Sequence, residues 1–148
     1  PAVTIKDSSG KVISKLYYTV SYSNNIKPGY AEVKVKFKKL YKGIMNKKFI
    51  IKPAKVKLSK IVNQKGRMIK ITWEKSKGVG GYEIWYANDK KLKKGRKIMD
   101  VKASSKAITI KKLSKNKTYY VKIRGYKKIN KRKVYGAWSK RKSVKITK

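Results

Sequence analysis

The chain has 148 residues, room for one ordinary domain or two small ones. Forty-four Lys and Arg against six Asp and Glu give a formal net charge of +38, which must be solvated, screened by salt or matched by a partner. Yet 40% hydrophobic residues, with eleven Tyr and three Trp, exclude a disordered basic tail, and the absence of Cys excludes disulfides and thiolate metal sites.

In chain order the signals are almost all of period two. A DSSGK turn at Asp7 is followed by YYTVSYS, a NNIKPG turn at Asn24 and the alternating run VKVKF (33–37). IKPAK (51–55) carries a Pro between two strand-like runs and marks a domain boundary, giving domains 1–53 and 54–148. Beyond it come an NQKG turn at Asn63, the strand MIKITW (68–73), a KGVGG turn at Lys77 and the strand YEIWY (82–86). A long NDKKLKKG turn at Asn88, the strand YVKIRGY (120–126) and the run VKI (144–146) complete the series. Such alternation buries one face of each strand and exposes the other, and the exposed positions are largely Lys. No segment reads as an amphipathic helix. Short strands with regular turns indicate an all-β sandwich.

The charge is uneven. Basic minus acidic residues give 12 − 2 = +10 for residues 1–53 and 32 − 4 = +28 for residues 54–148. Only Arg67, Arg96, Arg124, Arg132 and Arg141 are Arg, leaving 44 − 5 = 39 Lys. Lys acts as a mobile point charge, whereas Arg reads guanine or phosphate with a rigid fork. A Lys-dominated surface therefore predicts attraction without sequence readout, although AT-rich coding also favours Lys over Arg.

Residues 54–148 resemble a fibronectin type III domain along their whole length. Trp73 lies in a run similar to strand B, GYEIWYA (81–87) is similar to strand C, and GAWSKRKSVKI (136–146) to strand G. The most specific words are LSKNKTYYVKIRGY (113–126), similar to the corner between strands E and F and strand F itself. Leu113 matches the family's Leu, Tyr119 its corner Tyr, and Val121 and Ile123 its inward positions. Lys115 replaces the usual Pro and Gly125 a common Ala. Residues 1–53, through PAVTIKDSSGKVIS, YYTVSYSNN and KKFIIKPA, resemble the later part of a small bacterial immunoglobulin-like repeat. Such repeats often precede a fibronectin-like domain in large surface proteins of gut and rumen Clostridia. The fold implied is an immunoglobulin-like or fibronectin type III β-sandwich preceded by a small partial immunoglobulin-like β domain. The strands that usually open such a repeat are missing, which implies a sheet edge open to strand pairing with a neighbouring domain or subunit. The start at Pro1, with no Met or signal peptide, reads as a fragment or processed piece.

Catalysis has little to work with. There is no His or Cys, and the six acids Asp7, Glu32, Glu74, Glu83, Asp89 and Asp100 are scattered. Glu74 and Glu83 are expected to be exposed and paired with Lys rather than facing a sugar. The reading is therefore no enzyme, no cofactor and no metal. An intramolecular isopeptide bond from Lys34 to Asn46 with Glu32 alongside is weighed against exposed strand residues, and the latter is preferred.

The candidate polyanion-binding residues are Lys127, Lys128, Lys131, Arg132 and Lys133 in the loop between strands F and G, joined at the same end by Lys75 and Lys77. Lys140, Arg141 and Lys142 follow in strand G, and Lys90, Lys91, Lys93, Lys94, Arg96 and Lys97 gather at the opposite end. Trp138, near Lys140, Arg141 and Lys142, and outward-pointing Trp85 are candidates for stacking on a ligand, weighed against packing under long cationic side chains. Charge at both ends of the sandwich predicts diffuse capture rather than one shaped groove. The expected role is a non-catalytic extracellular spacer or adhesion module of a bacterial surface or secreted protein. Its expected partners are anionic polymers: cell-wall polymer, glycosaminoglycan, mucin glycan or DNA. The alternative is a structural subunit of a stalk or filament completed by strand donation. A dedicated nucleic-acid-binding protein is the third reading, and no apolar run is long enough for a membrane span.

Overall fold

The computed structural model describes residues 2–147; Pro1, where the sequence begins, lies outside them. The chain divides into two compact units, Pro1–Ile51 and Lys52–Lys148.

The first unit opens with a small hairpin closed by a Lys6–Val12 bridge. The Asp7 carboxylate organises its turn, accepting from the Ser9 and Lys11 N–H groups and the Ser9 hydroxyl. After one 3-10 turn at Lys15–Tyr17 come β1 (Tyr18–Ser23), β2 (Gly29–Phe37) and β3 (Ile44–Ile51), an antiparallel sheet in that order. Ile5, Ile13, Tyr18 and Val35 form its core, with Val33 and Phe37 packed against them from the same face of β2. Among the described residues β3 pairs on one side only, and no residue along it is fully buried.

The second unit is a sandwich. One sheet holds β4 (Leu58–Gln64), β5 (Met68–Trp73) and β8 (Ala107–Ile110) in that order. The other holds β6 (Gly81–Ala87), β7 (Lys97–Lys102), β9 (Thr118–Ile129), β10 (Arg132–Tyr135) and β11 (Lys142–Lys145). Its order is β10-β9-β6-β7, with β11 pairing a different stretch of β9. Alternate residues point inward from both sheets: Ile69, Ile71 and Trp73 from β5, Tyr82, Ile84 and Tyr86 from β6, Val121 and Ile123 from β9. Leu113 caps the core, and the Tyr119 hydroxyl accepts the Ser114 N–H at 3.1 Å, tying strand to preceding corner in the manner of a tyrosine corner.

The hairpin between β9 and β10 corrects one expectation. Lys127, Lys128, Arg132 and Lys133 lie on strands, not in a loop. The turn is only Asn130 and Lys131, both with positive φ, as a tight primed turn requires.

Gly136 follows β10 as the chain continues alongside β9, its N–H donating to the Gly125 carbonyl. A Cβ there would overlap the Pro53 carbonyl oxygen, and backbone cannot swing aside as a side-chain tip can. We expect Gly136→Ala to lower unfolding free energy by about 1–3 kcal/mol in a denaturant titration.

Candidate polyanion-binding surface

Each acid of the second unit is engaged with its surroundings. Glu83 is 6% exposed, contrary to the expectation of an exposed residue paired with Lys. It sits on the outer face of β6, directly across from Arg124 of β9. The Arg124 Nε and Nη2 donate to its Oε1 at 3.1 and 2.7 Å, and the Tyr135 hydroxyl donates to Oε2 at 2.9 Å. Burial, then the bond to Glu83 and its negative charge, push the Tyr135 phenol upward. Asp100 pairs with Lys133, whose ammonium it raises above its ordinary value. Glu74 holds Lys57 at 2.6 Å, with both side chains exposed, as expected for an exposed acid paired with Lys. The Asp89 carboxylate accepts the Lys93, Lys94 and Lys91 N–H groups, curling the basic loop after β6 around one acid.

Around Glu83, cations and rings alternate on the outer sheet face. The Arg124 guanidinium lies 3.5 Å from the Tyr135 ring centroid and 4.3 Å from that of Trp138. Lys122 Nζ is 4.3 Å from Trp138 and 4.4 Å from Trp85, and Arg96 covers Trp85 at 3.8 Å. Cation–π attraction of this kind is strongest when the cation is partly desolvated. Burial, then repulsion from Arg124, Arg96 and Arg141, hold the Lys122 ammonium below its ordinary value. The two candidate stacking rings thus lie 4.6 Å apart with the protein's own cations on them. Trp138 takes Lys122 and Arg124 as its partners, not the Lys140–Lys142 run adjacent in sequence. Ser139 makes this possible. Between β10 and β11 its N–H donates to the Ile123 carbonyl and its Oγ accepts the Ile123 N–H, so the preceding Trp138 can turn over the outer face.

The remaining candidates fall into three places. Lys90, Lys91, Lys93 and Lys94 are exposed on the Asp89 loop, with Arg96 and Lys97 at its end. Lys127, Lys128, Lys131, Arg132 and Lys133 line the β9–β10 hairpin, with Lys133 already paired. Lys140, Arg141 and Lys142 border a groove that sequence reasoning missed. It runs between β4 and β11, each at the margin of its own sheet, in two adjoining recesses of about 440 and about 430 Å³. Lys55, Lys57 and Lys60 stand on one wall and Lys140, Arg141 and Lys142 on the other. Lys142 Nζ bridges to the Ser59 carbonyl at 2.8 Å, where the β4 register shifts, and Asn63 bonds Thr147 at 2.7 Å beyond it. Among the described residues no three His, Cys, Asp or Glu cluster to hold a metal, and no helix is long and apolar enough to cross a membrane.

In the first unit, Lys34 and Asn46 are opposite one another on β2 and β3, and both are exposed. That is the arrangement of ordinary strand residues rather than of a buried isopeptide site.

This geometry is that of known sandwiches. The chain is similar to the solution structure of the sixth fibronectin type III domain of human fibronectin type III domain containing protein 3, with a TM-score of 0.51 and 17% identity, covering 64% of this chain and 86% of that one. It is also similar to the crystal structure of the chicken CNTN1 FN1–FN3 domains, with a TM-score of 0.52 and 20% identity, covering 85% of this chain and 44% of that one. The fold is an all-β sandwich of the fibronectin type III and immunoglobulin-like kind. No family model matches the chain, and no curated protein matches it in sequence. At these identities the likeness speaks for the fold alone.

Two predictions follow from the acids. Glu83→Gln leaves a mostly buried Arg124 without its counter-charge and should cost about 3 kcal/mol in urea unfolding, whereas Glu74→Gln, at an exposed pair, should leave stability unchanged. Hydrogen bonds hold the Asp7 and Asp89 carboxyls below their ordinary value of 3.8, so their stabilisation is complete above that value and disappears as pH falls through the depressed folded values. The urea midpoint should therefore be flat from pH 7 to about pH 5 and fall below about pH 4. Asp89→Ala should shrink that acid limb.

Proposed function

We propose that this chain is a non-catalytic spacer or adhesion module of a bacterial surface or secreted protein, and that it captures anionic polymers electrostatically. The observation behind this reading is that the acids are spent on the fold. Asp7 and Asp89 shape turns, Glu83, Glu74 and Asp100 each hold a cation, and Glu32 stands opposite Lys48. The remaining positive charge projects from the outer faces and turns of the β-sheets. A cell-wall polymer, mucin glycan, glycosaminoglycan or extracellular DNA would release counterions on binding, with few demands on sequence. The extracellular assignment rests on the sandwich fold and on the resemblance to surface-protein repeats. Retention on a heparin column is expected at 0.1 M salt, with affinity falling more than about tenfold on raising salt to several-fold higher concentration. Retention unchanged in high salt would contradict the mechanism.

A second reading has its own observation. On β3, Ile44, Met45 and Ile50 are exposed, and the strand pairs on one side only among the described residues. Such an edge suits completion by a donated strand in a stalk or filament. Light scattering at moderate salt separates the two: a monodisperse monomer contradicts self-assembly, and a concentration-dependent oligomer supports it.

A further inference from the structure

We infer that the groove between β4 and β11 is a binding track for a linear polymer of closely spaced phosphate or sulfate groups that carries no aromatic bases. The inference rests on the electrostatic reading above and gives it a location and a ligand class.

The walls carry the argument. Six basic residues border the two recesses and no acid does. Lys57 is neutralised by Glu74, which leaves Lys55, Lys60, Lys140, Arg141 and Lys142 as net positive charge. All five are exposed, so meeting an anion there carries little desolvation cost. The cations come from two segments on opposite sides of a seam: Lys55 just before β4 and Lys60 within it, Lys140 and Arg141 just before β11 and Lys142 at its start. A chain lying in the seam therefore meets charge from both sides along its length. The hairpin, in contrast, carries its cations on two strands paired directly with each other, and the Asp89 loop carries its own on one loop.

The lining also excludes other polyanions. No aromatic ring borders either recess, so a nucleic acid would find phosphate contacts but no platform for its bases. Trp85 and Trp138 do not supply one, since their rings hold Arg96, Lys122 and Arg124. An acidic peptide adding as a β-strand needs an unbroken edge. Here the β4 register shifts between Leu58 and Lys60, and Lys142 occupies the Ser59 carbonyl. Lys ammonium groups donate to phosphate or sulfate oxygens as mobile point charges in many orientations, which suits closely spaced anionic groups held in no fixed register. Four of the five cations without a counter-charge are Lys, and two of the five already donate to backbone carbonyls, Lys142 to Ser59 and Arg141 to Lys90.

The test uses the intact chain. Long-chain inorganic polyphosphate, a heparin oligosaccharide and an oligothymidylate of equal total charge are titrated by calorimetry at 0.15 M salt. Lys55→Gln/Lys60→Gln/Lys140→Gln is compared with Lys90→Gln/Lys91→Gln/Lys93→Gln, which removes the same charge elsewhere. Lys142 is retained because its bond to Ser59 supports the fold. We expect polyphosphate or heparin to bind more tightly than oligothymidylate, and the tighter of the two names the source as phosphate or sulfate. The groove variant should lose about tenfold or more, with a salt slope shallower by about 2, while the control stays within about threefold. Amide shifts on polyphosphate addition should concentrate at residues 55–62 and 140–143. Equal losses in both variants, or shifts spread over the surface, would overturn the groove while leaving diffuse capture intact. Tightest binding to oligothymidylate would overturn the base-free class. No binding by the wild-type chain would overturn the groove and the electrostatic function together.

Discussion

Self-repulsion is the constraint on which the rest of this molecule turns. A compact state with a net charge of +38 works against its own charge, and only six acids are present to relieve it. The fold answers in two ways. Inward faces carry an apolar core free of charge, and the outer face of the larger sheet sets its crowded cations against aromatic rings, which offset part of their mutual repulsion. Glu83 is the centre of that outer layer. Its two oxygens are shared between Arg124 and Tyr135, and Arg124 in turn lies against Trp138. A single acid thus holds Arg124 and Tyr135 and, through Arg124, the Trp138 contact, which is why its loss should be felt beyond one ion pair.

Much of this architecture is legible in the sequence. Alternation at period two named the strands, and MIKITW coincides with β5 to the residue. Leu113, Tyr119, Val121 and Ile123 lie where the fibronectin-like corner and strand would have them. What stayed hidden depended on pairing between distant residues. Trp85 meets Lys122, and Glu83 meets Arg124, only through the β6–β9 register. Alternation tells which face a residue takes but not which partner stands opposite. Glu83 looked like an exposed strand residue because outward positions usually are. Here the layer of rings and cations above the sheet buries it.

The hairpin and the groove were hidden for different reasons. Asn130 and Lys131 make a tight turn without the Gly that usually announces one, so five basic residues looked like a loop. Ser59 and Lys142 are 83 residues apart, and β4 and β11 touch without forming a ladder. No periodicity records such a contact. Hence a sequence that reads as charge spread everywhere folds to place basic residues of two distant segments across one seam. The proposed track would lie on this seam, within a surface otherwise coated in Lys.

The central claim is that the charge is a cost to the folded chain and the means by which it holds polyanions. Thermal unfolding measured from 0.02 to 0.5 M salt, with and without long-chain polyphosphate, tests both halves at once. Without the polymer, Tm should rise with salt as self-repulsion is screened. With it, Tm should be raised at low salt through linkage, and the two curves should converge as salt displaces the polymer. A salt-independent Tm together with no shift from polyphosphate at low salt would contradict the account.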